Sequence, residues 1–266
     1  MGGFFMKKAV IFGVYQFVGF HICSALLEEG EKIIGISYPE VSIEDLEDKK
    51  MEIGRNANFS EKSLDKLPFI LQDSNVQHIY FDLYTLKQIS IYEKVQSLFS
   101  NFRDKEKSCG KKLIFLVNIT SIESEREFAT FLKDNLVDHD IQVIHLPTLY
   151  GPWQPNDFLF QQIVEGKEKN DIQLNVREYT MDAIFIEDAV REVVKMTTKG
   201  KNNDILLKSK EINHWQRCLE QLQWDIPKTN KTLQLSRNLQ EVIIENKGTI
   251  EDNIEKQKRH YLFNRI

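Results

Sequence analysis

Short apolar runs alternate with amphipathic stretches through the first 150 residues of the chain. The runs Lys8–Phe12, Lys32–Ser37 and Leu113–Asn118 are dominated by apolar residues, as in strands that are buried on both faces. Between the first two, Phe17–Glu29 repeats its apolar residues at helical spacing. Alternation of this kind predicts an α/β fold, a doubly wound parallel sheet with helices on both faces.

The same pattern predicts further elements in order along the chain. They are a short helix over Ser63–Gln72, a strand over Val76–Asp82, a helix over Leu86–Phe102, a helix over Glu125–Asp138 and a strand over Ile141–Leu146. The charged stretch Ser42–Asn58 has no clear periodicity, and no element is predicted there. After residue 150 the alternation weakens and polar helices dominate. We therefore expect a main domain over residues 1–150 and a smaller C-terminal lobe over residues 151–266, some segments of which return to the main domain.

Composition narrows the functional classes. The 266 residues include 35 basic and 40 acidic side chains, with a formal net charge of −5 and no basic stripe that would neutralise nucleic-acid phosphates. No apolar run is long enough to span a bilayer. The cysteines Cys23, Cys109 and Cys218 are widely spaced, and no cysteine–histidine spacing suits zinc. We expect a cytoplasmic protein that binds no metal, no nucleic acid and no membrane, with Cys23 in the core.

A glycine turn follows the first predicted strand and opens the first predicted helix, with the spacing Gly13-x-x-Gln16-x-x-Gly19. In dinucleotide-binding turns the first glycine permits the tight turn, the second lets the backbone approach a pyrophosphate, and the third lets helix and strand pack closely. The pyrophosphate lies on the helix N-terminus, where free N–H groups and the helix dipole favour an anion. Gln16 replaces the second glycine, so a side chain stands in the approach to that anion.

Four fragments in order along the chain resemble the extended short-chain dehydrogenase/reductases, which include the NAD-dependent nucleotide-sugar epimerases and dehydratases. The glycine turn is the first fragment. The second, Val143–Pro155, is similar to the strand and asparagine–valine–tyrosine–glycine–proline motif of the family. The third, Asp182–Met196, resembles the aspartate–aromatic–valine–aspartate segment and the helix after it. The fourth, Gln221–Pro227 followed by Thr249–Tyr261, is similar to the family's tryptophan–proline stretch and final helix.

The resemblance implies a Rossmann-like N-terminal domain that binds NAD or NADP, and a C-terminal lobe that closes over a nucleotide-linked sugar. Relatives commonly pair through two helices beside the catalytic site, so a homodimer is a further expectation. The residues that match the cofactor positions are Gly13, Gln16, Phe17, Gly19 and Ser37, and those that match the substrate motif are Tyr150, Gly151 and Pro152.

The catalytic pair of the family is missing from this chain. In the family a tyrosine and a lysine four residues later act together, because the lysine charge lowers the tyrosine pKa from about 10 toward the working range. None of the eight tyrosines here is followed by lysine at that spacing. The strand end Asn118-Ile119-Thr120-Ser121 remains, so Thr120 or Ser121 is the candidate for the assisting hydroxyl.

Further positions depart from the family pattern or offer a substitute for the pair. Ser37 stands where the family carries the acidic residue that holds the ribose. His145 stands where arginine is common, and we interpret it as a packed core residue. Asp82 is a candidate general base, although a solvated aspartate at a strand end is the favoured interpretation. Tyr84 is a candidate for a relocated acid/base.

Two hypotheses from different classes follow. The first is a degenerate epimerase-like protein that has lost its redox chemistry and acts in binding, regulation or scaffolding, with a nucleotide-sugar or a protein as its partner. The alternative is an active epimerase, dehydratase or reductase on a nucleotide-linked sugar that uses relocated groups, namely Thr120, Ser121, Asp82 or Tyr84. Three losses together favour the first: the tyrosine–lysine pair, the middle glycine and the ribose-binding acid.

Overall fold

A computed structural model describes residues 7–38, 45–66, 69–70, 73–85, 111–121, 140–197, 204–225 and 239–263 of the chain. The strands are β1 Lys8–Phe12, β2 Lys32–Ile36, β3 Phe59–Glu61, β4 Val76–Asp82, β5 Lys112–Asn118, β6 Asp140–Leu146, β7 Thr148–Tyr150, β8 Ala183–Phe185, β9 Asp204–Ser209 and β10 Gln240–Ile244. The helices are α1 Phe17–Glu28, α2 Leu46–Gly54, α3 Leu159–Val164, α4 Ile186–Thr197, α5 His214–Gln221 and α6 Ile250–Phe263, and short 3-10 helices cover Leu64–Lys66 and Ile119–Ser121.

Eight of the strands form one parallel sheet in the order β10-β9-β6-β5-β4-β1-β2-β3, and β7 pairs with β8 in a separate parallel ribbon. The chain runs outward from β1 through β2 to β3, then returns to β4 on the other side of β1. The direction of the strand order therefore reverses between β1 and β4, which is the place where open α/β sheets bind ligands. The predicted doubly wound parallel sheet is confirmed.

The two faces of the sheet follow from alternate residues along each strand. Phe12, Phe81 and Phe115 lie on one face of three neighbouring strands and stack in parallel, with ring centroids 4.7 and 4.8 Å apart. Their neighbours along the same strands, such as Ile11 and Tyr80, point to the opposite face. They belong to the hydrophobic cluster there, which is covered by α1 and α4. Burial of side chains of this size contributes about 1.5–3 kcal/mol each.

The predicted elements agree with the structure where the hydrophobic pattern is strong. The strands predicted at β1, β2, β4, β5 and β6 and the helix at α1 are confirmed. Within the helix predicted over Ser63–Gln72, Leu64–Lys66 form a 3-10 helix and residues 69–70 are α-helical, while residues 67–68 and 71–72 lie outside the described part. The helices predicted over Leu86–Phe102 and Glu125–Asp138 lie outside the described residues.

Several elements were not predicted, among them α2 and the edge strand β3. The three residues of β3 are too few to show alternation, and the strand forms because its backbone pairs with β2. The amide of Ile33 donates to the Asn58 carbonyl at 2.8 Å, and that of Lys62 donates to the Gly35 carbonyl at 2.9 Å. Hydrogen bonds between distant segments therefore decided this edge of the sheet.

The C-terminal part of the chain contributes to the main sheet through β9 and β10, while the boundary at residue 150 stays a prediction. Cys23 is fully buried in α1, as expected, and Cys218 is buried in α5. Among the helices that the structure describes, none is both long and apolar enough to cross a membrane.

Candidate functional site

Gly13 forms the tight turn between β1 and α1. Its φ is +75°, a left-handed conformation that glycine adopts without steric cost. Its amide donates to the Ile36 carbonyl at 2.8 Å and ties the turn to the end of β2. A Cβ at this position would lie 2.6 Å from Cε2 of Tyr38, so the Tyr38 ring covers the turn directly. The predicted requirement for glycine here is confirmed.

Gly19 lies in the first turn of α1, where the helix passes close to the Gly13 turn. A Cβ on Gly19 would lie 2.3 Å from the carbonyl oxygen of Gly13, which no side chain tolerates. The close packing predicted from this glycine is confirmed. Phe17, the first residue of the helix, is buried with its ring centroid 6.3 Å from that of Tyr84.

Gln16 is the N-cap residue of α1, and its side chain does not cap the helix. Instead its Oε1 accepts a hydrogen bond from the Thr85 hydroxyl at 2.9 Å, which joins the glycine turn to the segment after β4. Its Cγ lies 3.1 Å from the position where a Cβ on Gly13 would be. The side chain is 8% exposed. Gln16 and Tyr38 together therefore fill the space over the glycine turn.

Two hydrogen-bond donors in this region have no partner among the described residues. They are the Nε2 amide of Gln16 and the hydroxyl of Tyr38, both buried. A buried donor without an acceptor costs about 1–3 kcal/mol. Burial raises the pKa of Tyr38 well above its usual value, and the charge of Asp82 adds to the shift. The region over Gly13 thus presents donors and no matching acceptor.

Asp82 ends β4 and is fully buried, which corrects the interpretation of a solvated strand-end carboxylate. Its Oδ2 accepts the Gly19 amide at 2.7 Å, and its Oδ1 accepts the Tyr84 amide at 3.0 Å. Burial raises its pKa to about 6, against hydrogen bonds from the backbone of Gly19, Tyr84 and Val18 that lower it. The carboxylate is buried because β4 lies beside β1, so its end meets the N-terminus of α1.

Glu61 reaches the predicted ribose position from the edge strand β3. Its Oε2 accepts the Tyr15 hydroxyl at 3.0 Å, and its Oε1 accepts the Ser37 hydroxyl at 3.3 Å. Burial raises the pKa of Tyr15. Sequence reasoning missed Glu61 because β3 carries no periodic signal. An acidic side chain is therefore present near Ser37 after all, but the protein's own hydroxyl groups bind it.

Asn118 organises the end of β5, where the candidate hydroxyls follow. Its Oδ1 accepts both the amide and the hydroxyl of Thr120, at 2.9 and 2.8 Å. Its Nδ2 donates to the Arg177 carbonyl at 2.8 Å. Ser121 ends the 3-10 helix, and its side chain lies outside the described part of the structure. The Thr120 hydroxyl is thus engaged locally.

Tyr84, the candidate relocated acid/base, is fully buried. Its hydroxyl donates to the Pro147 carbonyl at 3.0 Å and accepts the Leu149 amide at 2.9 Å. Burial raises its pKa further from the working range. The ring joins the end of β4 to the segment between β6 and β7, and its hydroxyl proton is already donated to a backbone carbonyl. A catalytic role for Tyr84 therefore has no support in this geometry.

The predicted substrate motif forms the end of β7 and the turn after it. Tyr150 is fully buried, and its hydroxyl lies 3.0 Å from Nε2 of His214. Gly151 has a φ of +135°, and a Cβ there would lie 2.7 Å from Ile186 Cγ2. The Pro152 carbonyl lies 2.8 Å from Nε2 of His21 in α1. The three residues join the small ribbon to α1 and α4, while substrate contact by them stays a prediction.

Two openings lie near these elements. A cavity of about 280 Å³ at the ends of β5, β6 and β9 is bordered by Tyr179, Asp182 and Ser209. Burial raises the pKa of Asp182 to about 6. A groove of about 900 Å³ between α1, α4 and α6 is bordered by Trp153 and His260, among others. Among the described residues no group of histidine, cysteine and carboxylate side chains is placed to hold a metal ion.

No protein-family model and no curated protein matches this sequence. Solved structures match along nearly its whole length. UDP-glucuronic acid 4-epimerase from Bacillus cereus, in complex with NAD, has a TM-score of 0.68 at 15% identity, over 97% of this chain and 99% of that chain. dTDP-glucose 4,6-dehydratase from Bacillus anthracis, in complex with NAD, has a TM-score of 0.66 at 15% identity, over 97% of each chain.

UDP-glucose 4-epimerase from Thermotoga maritima, with UDP-glucose, has a TM-score of 0.64 at 14% identity, over 98% of this chain and 100% of that chain. This chain has the epimerase/dehydratase fold. The resemblance read from the four sequence fragments is thereby confirmed at the level of the fold.

The residues of this epimerase/dehydratase fold do not fit a dinucleotide at the glycine turn. A pyrophosphate needs the free N–H groups of the helix N-terminus and open space above the turn. Here Asp82 accepts the Gly19 amide, and the side chains of Gln16 and Tyr38 occupy the space over Gly13. The steric roles of the two remaining glycines are retained, whereas the anion position is filled by the chain's own side chains.

Proposed function

We propose that this chain is a catalytically degenerate protein with the nucleotide-sugar epimerase/dehydratase fold, acting in binding, regulation or scaffolding. One observation carries the proposal: the fold extends over 97% of the chain, yet none of the eight tyrosines has lysine four residues later. A tyrosine without such a cation keeps a pKa near 10 and is a poor acid/base at neutral pH. The scaffold is therefore present without the pair on which the chemistry of such enzymes depends.

The surroundings of the substitute groups support the same proposal. The hydroxyl of Tyr84 has both a donor and an acceptor partner in the backbone, and both carboxylate oxygens of Asp82 accept backbone amides. The Thr120 hydroxyl is bound to Asn118. A general base must be able to reach the proton that it removes. These contacts count against the alternative of an active enzyme with relocated groups.

A nucleotide-sugar or a protein is the proposed partner, and a homodimer stays part of the proposal. The cavity bordered by Asp182 and Ser209 lies at the carboxyl ends of the strands, where α/β sheets bind small ligands. Its volume, about 280 Å³, is just below the lower limit of about 300 Å³ for small-molecule sites. We expect a ligand there to be bound and not converted.

The decisive experiment measures nicotinamide absorbance in the purified chain with NAD, NADH, NADP or NADPH and a set of UDP- and dTDP-linked sugars. UDP-glucose 4-epimerase run in parallel is the positive control for the sugar products, which are analysed separately because an epimerisation regenerates NAD and leaves no net change in nicotinamide absorbance. We expect no change in absorbance and no altered sugar. Turnover in the wild type that is lost in Thr120→Val would establish the alternative instead. A thermal-shift scan with the same sugars then identifies a bound ligand, because a hundredfold excess over Kd stabilises by about 2.7 kcal/mol.

A further inference from the structure

The cavity at the ends of β5, β6 and β9 is small and its walls are acidic. Its volume of about 280 Å³ is less than the roughly 300–1,000 Å³ of drug-sized ligand sites. Three carboxylates border it, those of Asp182, Glu211 and Glu241, together with one ammonium group, that of Lys208. The diphosphate of a nucleotide-linked sugar is an anion, and like charges brought together in such a space repel each other. The cavity therefore suits a smaller group that is not an anion.

Two of the three carboxylates are neutralised by neighbouring cations. Nζ of Lys208 lies 3.1 Å from Glu241, and Arg217 forms an ion pair with Glu211. Asp182 has no ion pair within the part of the chain that the structure describes, although the charge of Lys208 lowers its pKa. The charge of Asp182 is thus the one that the described residues leave uncompensated at this cavity.

Asp182 is ionised at neutral pH and can accept further hydrogen bonds. Burial raises its pKa only to about 6. Its Oδ1 accepts the Ala183 amide at 2.8 Å, and its Oδ2 accepts the Ser209 amide at 2.9 Å. A carboxylate has about four acceptor sites, so these amides use about half of them. Because Asp182 borders the cavity, a cationic donor placed there can bind it without displacing either amide.

Apolar side chains form much of the remaining wall and part of the rim. Ile119, Pro147 and Leu206 border the cavity, and so do Met181 and Ile212, which are 49% and 82% exposed. Exposed apolar side chains that share one cavity are typical of an interaction site. Lysine and arginine lay an aliphatic stem along apolar surface and keep the charged head at a polar group. The cavity has both parts of that environment.

We propose that this cavity binds a basic side chain that a partner protein inserts, with its aliphatic stem against the apolar walls and its cationic head on Asp182. Apolar residues beside the basic one would pack on Met181 and Ile212. Arginine fits best, since its planar guanidinium can donate to both oxygens of one carboxylate. Cavity size and charge favour this occupant over a nucleotide-linked sugar. The inference rests on the proposed function, because it names the chemistry of the protein partner proposed there.

The probe is a capped leucine–arginine–leucine tripeptide, titrated into the whole chain while the Ser209 amide is followed by ¹⁵N NMR. Two matched peptides replace arginine by citrulline, which has a similar shape and no charge, or by glutamate. We expect a saturable shift with the arginine peptide, about tenfold tighter binding than with citrulline, and weaker binding in salt. No saturable shift, equal affinity for the arginine and citrulline peptides, or tighter binding of the glutamate peptide would overturn the proposal.

Two charge variants should change the affinity in opposite directions. Asp182→Asn should bind the arginine peptide no better than the citrulline peptide. Lys208→Gln should bind the arginine peptide about twofold more tightly, because a competing cation is removed. The Lys208 side chain is exposed, so this variant tests the proposal even if Asp182→Asn does not fold. Unchanged or weaker binding by Lys208→Gln would count against a cation site and overturn the proposal.

A matched pair of surface variants tests the apolar rim. Ile212 and Val176 are 82% and 84% exposed, and only Ile212 borders the cavity. We expect Ile212→Ser to weaken binding of the arginine peptide about threefold and Val176→Ser to leave it unchanged. Equal effects of the two substitutions would mean that the peptide does not pack on this rim, and the proposal would fall.

A parallel titration with UDP-glucose separates this inference from the proposed function. A saturable shift of the Ser209 amide with unconverted UDP-glucose, and none with the arginine peptide, defeats the inference and leaves the proposed function intact. An altered sugar or turnover of a nicotinamide cofactor defeats the proposed function, and the peptide titration then still decides what the cavity binds.

Discussion

Substitution of Gly19 by alanine tests the close approach of α1 to the Gly13 turn, on which the geometry of the cleft depends. The added Cβ would lie 2.3 Å from the Gly13 carbonyl oxygen, about 1 Å inside ordinary contact. The obstructing atom is backbone in a turn with a φ of +75°, so it cannot rotate away as a side chain would. Overpacking of this kind costs about 1–3 kcal/mol, and we expect the upper end.

Alanine also has a helix propensity about 1 kcal/mol better than glycine, which offsets part of the loss. The net expectation for Gly19→Ala is a decrease of about 2 kcal/mol in the free energy of unfolding, or about 4 °C in Tm. Gly54→Ala is the matched control, because Gly54 also lies in a helix and a Cβ there would meet nothing within 4 Å. We expect that control to gain about 0.5–1 kcal/mol.

The assay is urea unfolding followed by tryptophan fluorescence and by far-UV circular dichroism, with the two probes required to coincide. Opposite signs for the two glycine variants would support the close approach. If Gly19→Ala were as stable as Gly54→Ala within about 0.5 kcal/mol, α1 would not pack against the Gly13 turn as described.

Three further predictions concern other parts of the site. Asp82→Asn should remove a pH dependence. Because the pKa of Asp82 is raised from 3.8 to about 6 in the folded state, the folded protein holds a proton that the unfolded chain releases, and the wild type should lose about 2 kcal/mol of stability relative to the variant as pH rises from 4 to 6.5. Tyr84→Phe should lower the free energy of unfolding by about 2–3 kcal/mol, since it leaves the Pro147 carbonyl and the Leu149 amide unpaired in the core. Gly151→Ala should destabilise by about 2 kcal/mol or more, because its φ of +135° suits no other residue and its Cβ would clash.

Each of these has a result that contradicts it. Parallel stability–pH curves for wild type and Asp82→Asn would mean that Asp82 titrates normally and is not buried. A Tyr84→Phe protein as stable as wild type in urea would mean that water or another group replaces the lost hydroxyl. A Gly151→Ala protein of unchanged Tm would mean that the turn after β7 relaxes without strain.

Local signals explain which features could be predicted. The strands and α1 were predictable because continuous apolar runs and helical spacing are properties of neighbouring residues. The roles of Gly13 and Gly19 were predictable because a known turn assigns a steric task to each glycine by spacing. Asp82 was wrongly predicted to be solvent-exposed, because the sequence of a strand end does not show which element packs against it. Here that element is the N-terminus of α1. Glu61 was missed because β3 exists only through pairing with β2.

The sequence by itself determined the α/β class, the glycine turn and the absence of the tyrosine–lysine pair. Each of these features depends only on local patterns of residues that are close together along the chain. Only the tertiary structure decided what occupies the cleft. Asp82 meets Gly19 across 63 residues, and Thr85 meets Gln16 across 69. These partners come together only when β4 inserts beside β1, and hydrophobic periodicity, which is local, carries no information about that neighbour.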